Sequence, residues 1–240
     1  VSEDRWEPLR YLFPVVAPLT GKVERFTPLP FTDKPQYINN TVVDDFLDEN
    51  LDLRWTFVRV PENKTYSLSE NPGFLRLYSK PGIIQNRKRF SLVGFRQKES
   101  DFEFEVKMNF SPEKDKVESG IIHYQKEWNY LTNTVTKVKK KYYLEQKLKE
   151  KSKEIVTLKK TILKGYDGNI ILKVKSKKDK YDFYYSLNNG SSFIYFTSMD
   201  AIKILDRNYT GALLGLYTTS NGKVTQDYAD YDWIRYRDYL

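Results

Sequence analysis

Residues 102–110 read Phe-Glu-Phe-Glu-Val-Lys-Met-Asn-Phe (FEFEVKMNF), with an apolar side chain at every second position. Successive side chains leave a pleated backbone on opposite sides, so this period gives a strand with one buried and one wet face. The pattern recurs downstream in Ile170 to Lys175, Tyr181 to Leu187, Phe193 to Phe196, Ala212 to Thr218 and Tyr228 to Tyr236. Asp167-Gly168, Asn188-Asn189-Gly190 and Asn221-Gly222 punctuate these runs with residues that tolerate positive φ at little cost. Short alternating runs bounded by turns predict an all-β sandwich or barrel from about Thr41 onwards. There is no Gly-rich phosphate loop and no alternation of strands with long helices, which argues against dinucleotide-binding α/β folds.

Composition agrees with that reading and narrows the chemistry. The chain has 240 residues, and its 4 Trp, 19 Tyr and 14 Phe lean towards β-structure. With no Cys, disulfides, zinc–cysteine sites and thiol nucleophiles drop out together, and a single His rules out polyhistidine metal sites. No run approaches 18 apolar residues, so no membrane span is expected. Residues 137–160 hold ten Lys against three Glu, which is +7 of the chain's net +8 and leaves +1 for the other 216 residues. A pair of exposed strands around a charged turn suits this segment better than a short amphipathic helix over Leu144 to Lys153. A nucleic-acid surface would interleave arginine with aromatics; the run has no Arg, so nucleic acid is not expected as a partner.

Six of the ten prolines fall in residues 1–35 and none follows Pro112. Residues 1–40 therefore read as an extended tail or linker, because proline removes amide donors and restricts its predecessor. The chain starts at Val1 without Met or a charged-then-apolar leader, which reads as a processed chain or a piece of a longer one. Five N-x-[ST] sequons, at Asn39, Asn63, Asn109, Asn189 and Asn208, favour a secreted (extracellular or periplasmic) origin.

Several strings stand in a linked order. They are DDF (44–46), Leu51 with RW (54–55), RVPENKTYSLSENPGFLRL (59–77), GFRQKESDFEFEVKMNFSP (94–112) and VESGIIHYQ (117–125). YDFYYSLNNGSSF (181–193), TGALLGLYTT (210–219) and ADYDWIRY (229–236) complete the set. Over about residues 41–240 the series resembles the C-terminal concanavalin A-like β-sandwich of β-xylosidases and arabinofuranosidases of glycoside hydrolase family 43. The Lys-rich segment matches least well. The resemblance implies a jelly-roll sandwich of two antiparallel sheets with one concave face, a plant-polysaccharide setting, and a tail that leaves a catalytic five-bladed propeller. It also implies that the acid and base carboxylates belong to the propeller, so no catalytic residue is expected in this chain.

Sugar binding in water stacks a pyranose on an aromatic ring while polar groups satisfy its hydroxyls. The candidates are Arg96, Gln97, Glu118, His123, Tyr124, Trp128 and Tyr130, which are alternatively core aromatics and a structural arginine. On a strand His123 faces opposite to Tyr124, so they cannot all share one site. Asp44, Asp45, Asp230 and Asp232 form the candidate calcium site, since calcium favours carboxylates and the first and last strands of such sandwiches are often neighbours. Their ordinary reading is turn and edge aspartates, and no cofactor is required. Three functions follow: an accessory sandwich of a glycoside hydrolase, a stand-alone glycanase using a carboxylate such as Glu118, or a scaffold whose basic loop takes acidic glycans.

Overall fold

The computed structural model describes residues 41–61, 64–86, 90–204 and 211–239. The Pro-rich segment 1–40 and the sequon residues Asn39, Asn63 and Asn208 lie outside them. Strands, numbered in chain order, form two antiparallel sheets. The first runs β13 (Ile194–Asp200), β12 (Lys180–Ser186), β11 (Asn169–Lys177), β6 (Phe102–Asn109), β15 (Tyr228–Asp238), β4 (Leu75–Tyr78) and β3 (Tyr66–Ser67). β1 (Thr41–Asp44) also pairs with β15. The second runs β10 (Val156–Ile162), β9 (Lys141–Glu150), β8 (Asn129–Val138), β7 (Glu118–Lys126), β14 (Leu213–Thr219), β5 (Ser91–Arg96) and β2 (Thr56–Phe57). Neighbours such as β11–β6–β15 and β7–β14–β5 are far apart in sequence, because the chain crosses between sheets as it winds.

The alternation of 102–110 is realised in β6: Phe102, Phe104, Val106 and Met108 are fully buried between the sheets. Facing them in the same core are Ile121, Leu131, Val135, Leu144 and Leu214 from the second sheet. Tyr231 crosses this core, and its hydroxyl meets Ser119 Oγ at 2.8 Å and the Gly120 and Tyr217 carbonyl oxygens at 3.2 Å. A buried phenol needs such partners, and these tie the last strand of one sheet to two strands of the other.

The lysine segment is strand, not helix: Leu144 to Glu150 lie in β9, and β10 follows a turn at Lys151. The β8–β9 hairpin turns on Lys139 (φ 48°) and Lys140 (φ 66°), left-handed values usually left to Asn and Gly. The Lys139 amide is held there by Asp115 Oδ2 at 3.0 Å. Asn189 (φ 54°) and Gly190 (φ 84°) supply the expected turn between β12 and β13, within a loop wider than a two-residue hairpin.

Candidate functional site

The second sheet turns one face away from the core, and strand register shows which candidates share it. Arg96, Leu213, Tyr124, Tyr130 and Lys149 form one row across β5, β14, β7, β8 and β9. Tyr124 and Tyr130 are only 7% and 4% exposed, packed with Ile84, Leu92, Ile122, Leu213 and Tyr217 in a small second cluster. Ile84 opens a 3-10 turn, Ile84–Asn86, that contributes to this cluster. Rings buried in this way cannot offer a face to a sugar. Arg96, at the end of the row, is exposed and donates to the Gly211 carbonyl at 3.4 Å.

The other sequence candidates disperse. Gln97 follows Arg96 and turns the opposite way, its amide donating to the Glu99 carbonyl at 2.9 Å and lying 3.4 Å from the Tyr181 hydroxyl. His123 is wholly buried in the core beside Tyr181, Phe102 and Phe183, with ring centroids 4.9, 6.4 and 5.8 Å away. Neither imidazole nitrogen has a hydrogen-bond partner among the described residues. Burial pushes the imidazole down to about 3, so it is neutral at pH 7. Trp128 sits half-buried in the β7–β8 turn, with the Lys126 ammonium 5.5 Å from its ring centroid. Glu118 shares the face of Tyr124 but lies six residues along the strand, about 20 Å at about 3.3 Å per residue.

Glu118 belongs to a chain of charges that the sequence reading missed. Lys147 Nζ lies 2.5 Å from Glu118 Oε2 and 3.1 Å from Glu145 Oε2, and Lys160 Nζ lies 2.5 Å from Glu145 Oε1. Thr134 Oγ1 donates to Glu118 at 3.2 Å. Burial would raise the Glu145 carboxyl, but Lys160 and Lys147 outweigh it and hold it below the usual carboxylate range. The same two glutamates outweigh burial at Lys147 and raise its ammonium. A general acid for glycoside cleavage needs the reverse, a carboxyl pushed up so that it keeps its proton. Thus part of the Lys-rich run serves as counter-ions to buried glutamates. The period-two spacing Glu145, Lys147 was the available signal; the cross-strand partner Glu118 was not visible without register.

The candidate calcium aspartates are also occupied. Asp44 accepts the Trp55 indole N–H at 2.7 Å and the Phe46 amide at 3.0 Å, and Asp45 accepts the Leu47 amide at 3.4 Å. Asp230 is held by Arg76 through two bonds of 2.7 and 2.8 Å and by Asn71 at 2.9 Å. Asp232, at a bulge in β15, pairs with Lys107 at 2.9 Å. Among the described residues no three acidic or imidazole groups converge on a metal position. The positive charge that calcium would bring is supplied at Asp230 and Asp232 by side chains. Thermal melts with excess calcium and with chelator are expected to agree within about 1 °C, and a midpoint several degrees higher with calcium would demand a metal site.

Residues 43–237 match the family model described as the β-xylosidase C-terminal concanavalin A-like domain. The chain belongs to this family. A xylosidase/arabinosidase of Butyrivibrio fibrisolvens is 29% identical, over 98% of this chain and 44% of its own length. The non-reducing end α-L-arabinofuranosidase BoGH43B of Bacteroides ovatus is 27% identical, over 90% of this chain and 41% of its own. The solved GH43 protein BlXynB of Bacillus licheniformis, 30% identical, superposes with a TM-score of 0.75 over 82% of this chain and 39% of that one. The chain thus spans less than half the length of the curated relatives it matches. The family gives the expected fold, a concanavalin A-like sandwich of two antiparallel sheets.

Proposed function

We propose that this chain works as the accessory, non-catalytic sandwich of a family-43-type glycoside hydrolase, packing on a catalytic five-bladed propeller and shaping or binding plant-polysaccharide chains of xylan or arabinan type. The observation that carries this reading is the family match across 43–237, to a domain described as C-terminal in β-xylosidases. Two curated relatives named for xylosidase or arabinosidase action, each more than twice as long as the matched region, support a catalytic partner region of similar chemistry. The charge chain supports the non-catalytic part of the reading, because Lys147 and Lys160 together balance Glu118 and Glu145. The sequons support a setting outside the cytoplasm.

The 240-residue chain is expected to give no turnover of aryl β-xyloside or aryl α-L-arabinofuranoside, with no difference between the natural chain and Glu118→Gln. Turnover by the natural chain that Glu118→Gln removes would overturn the accessory reading in favour of a stand-alone glycanase.

A further inference from the structure

The face of the first sheet that looks away from the core holds two adjoining cavities, of about 340 and 360 Å³, which share Lys107 and Asn169 in their walls. Volumes of this order lie at the small end of ligand pockets, and the pair in series is elongated. Register shows how β6, β11 and β15, distant in sequence, build the floor together with β12, which follows β11 directly. Asp230, Asn109 and Asn169 form one row across β15, β6 and β11. Beside it run Trp233, Lys107, Ile171 and Ser186 across β15, β6, β11 and β12. The β15 bulge falls between the two rows and sets Asp232 against Lys107. At the far end the turn at Asn188 to Gly190 leans on Ile171, so that a Cβ at Gly190 would meet Ile171 Cδ1 at 3.3 Å. Ile171 itself, although on the outer side, is almost wholly buried.

The chemistry of this groove is that of hydroxyl recognition. Asn109 Nδ2 donates to Asn169 Oδ1 at 3.1 Å, and Asn169 Nδ2 reaches Asp167 Oδ1 at 3.3 Å. Each amide has two N–H donors and two acceptor lone pairs, so one or two bonds leave hydrogen-bonding capacity in the wall. Lys107, half-buried, uses one of its three N–H groups on Asp232. Side-by-side donors and acceptors in fixed planes fit vicinal diols, in which every hydroxyl both gives and accepts. Leu187 and Phe74, both half-buried, provide the apolar patches that a ring face needs. Three carboxylates against one ammonium in the walls disfavour an anionic ligand. A metal is disfavoured because Arg76 and Lys107 already neutralise Asp230 and Asp232.

We propose that this groove, centred on Lys107 and Asn169, binds a neutral oligosaccharide about two sugar rings long. The inference rests on the accessory reading for its ligand class, and it moves the sugar site from the aromatic row of the second sheet to the amide-lined face of the first. The sequence shows these residues only as parts of alternating runs, as sequons at Asn109 and Asn189, as turn residues at 167–168 and 188–190, and as calcium aspartates; Asn169 belongs to none of these.

The test is titration of the 240-residue chain with xylotriose, arabinotriose and cellotriose, followed by side-chain amide NMR and calorimetry. Binding by at least one of them is expected at millimolar concentration, with the largest shifts at the Asn109, Asn169 and Asn188 amides. Asn169→Ala is expected to weaken it at least tenfold while leaving the thermal midpoint unchanged, since its side chain is at the surface. Asn188→Ala is expected to weaken it as strongly and also to lower the midpoint, because the Asn188 side chain holds its turn through Ser186 Oγ, Ser192 Oγ and the Ser192 amide. Trigalacturonate is expected not to bind. The proposal is overturned by any of four results: no binding of the three neutral sugars at 10 mM, shifts confined to the Tyr124–Tyr130 face, unchanged affinity in both variants, or binding that requires calcium. The aryl-glycoside assay reads the accessory role separately, so an empty groove would not be mistaken for failure of that reading.

Discussion

At pH 4, His123→Leu is expected to leave the sandwich about 3 kcal/mol more stable than the natural chain. The argument starts from a wholly buried imidazole flanked by Tyr181, Phe102 and Phe183, with both nitrogens unpartnered among the described residues. Burial lowers its pKa from 6.5 to about 3 in the folded chain. The unfolded chain therefore binds a proton that the folded chain refuses at every pH between these two values. Stability from the neutral ring is fully present above about pH 6.5, falls as pH drops, and stops falling near pH 3. The slope is about 1.4 kcal/mol per pH unit for one proton, so the loss by pH 4 is about 3 kcal/mol. Carboxylates titrate in the same acid range, but they do so in both chains, and the difference between the two isolates His123. At pH 7 the leucine variant should equal or exceed the natural chain, because two unpaired buried polar atoms have gone. Denaturant melts at pH 7, 5.5 and 4 provide the measurement. Parallel pH profiles for the two chains would show that His123 is protonated, or hydrated, in the fold.

The second large effect concerns Arg76. Arg76→Ala is expected to cost about 3 kcal/mol, as removing one partner of a buried pair leaves the other charge uncompensated. The Asp230 side chain is 8% exposed and the Arg76 side chain 14%, and the pair makes two short parallel bonds. Arg76 also lays its guanidinium 3.7 Å above the Tyr228 ring centroid, linking β4 to β15 twice over. For a chain of this length, a loss of that size lowers the thermal midpoint by roughly 6–12 °C. Asp230→Asn in the Arg76→Ala background should recover part of the loss, since the orphaned charge is then gone. A midpoint within about 2 °C of the natural chain for Arg76→Ala would mean that solvent already screens the pair.

The two residues differ in how far the sequence exposes them. Alternation alone places His123 opposite Tyr124, and the structure has His123 in the core with Tyr124 on the other face. Alternation likewise separates Arg96 from Gln97, which the candidate list had grouped. The strand reading of 102–110 survives intact, and β11, β12, β14 and β15 begin and end within two residues of the expected runs. The β13 run extends four residues beyond Phe196, because the polar Thr197, Ser198 and Asp200 lack the alternation that marks a strand. Asp230 gave no sign of Arg76, 154 positions away, as its partner.

What the sequence determined by itself is local: period two, turn chemistry at Asn-Gly and Asp-Gly, and the linked strings that identify the family. These signals live within a few residues, where backbone sterics and the alternation of a pleated strand act. What only the tertiary structure decided is which faces meet and which remain open. Glu118 finds Lys147, Asp232 finds Lys107, and Asn109 stands beside Asn169 because strand register joins segments 29 to 125 positions apart. The aromatic excess marks the core; the amide groove, assembled by pairing β6 with β11 and β15, has no contiguous signature in the chain.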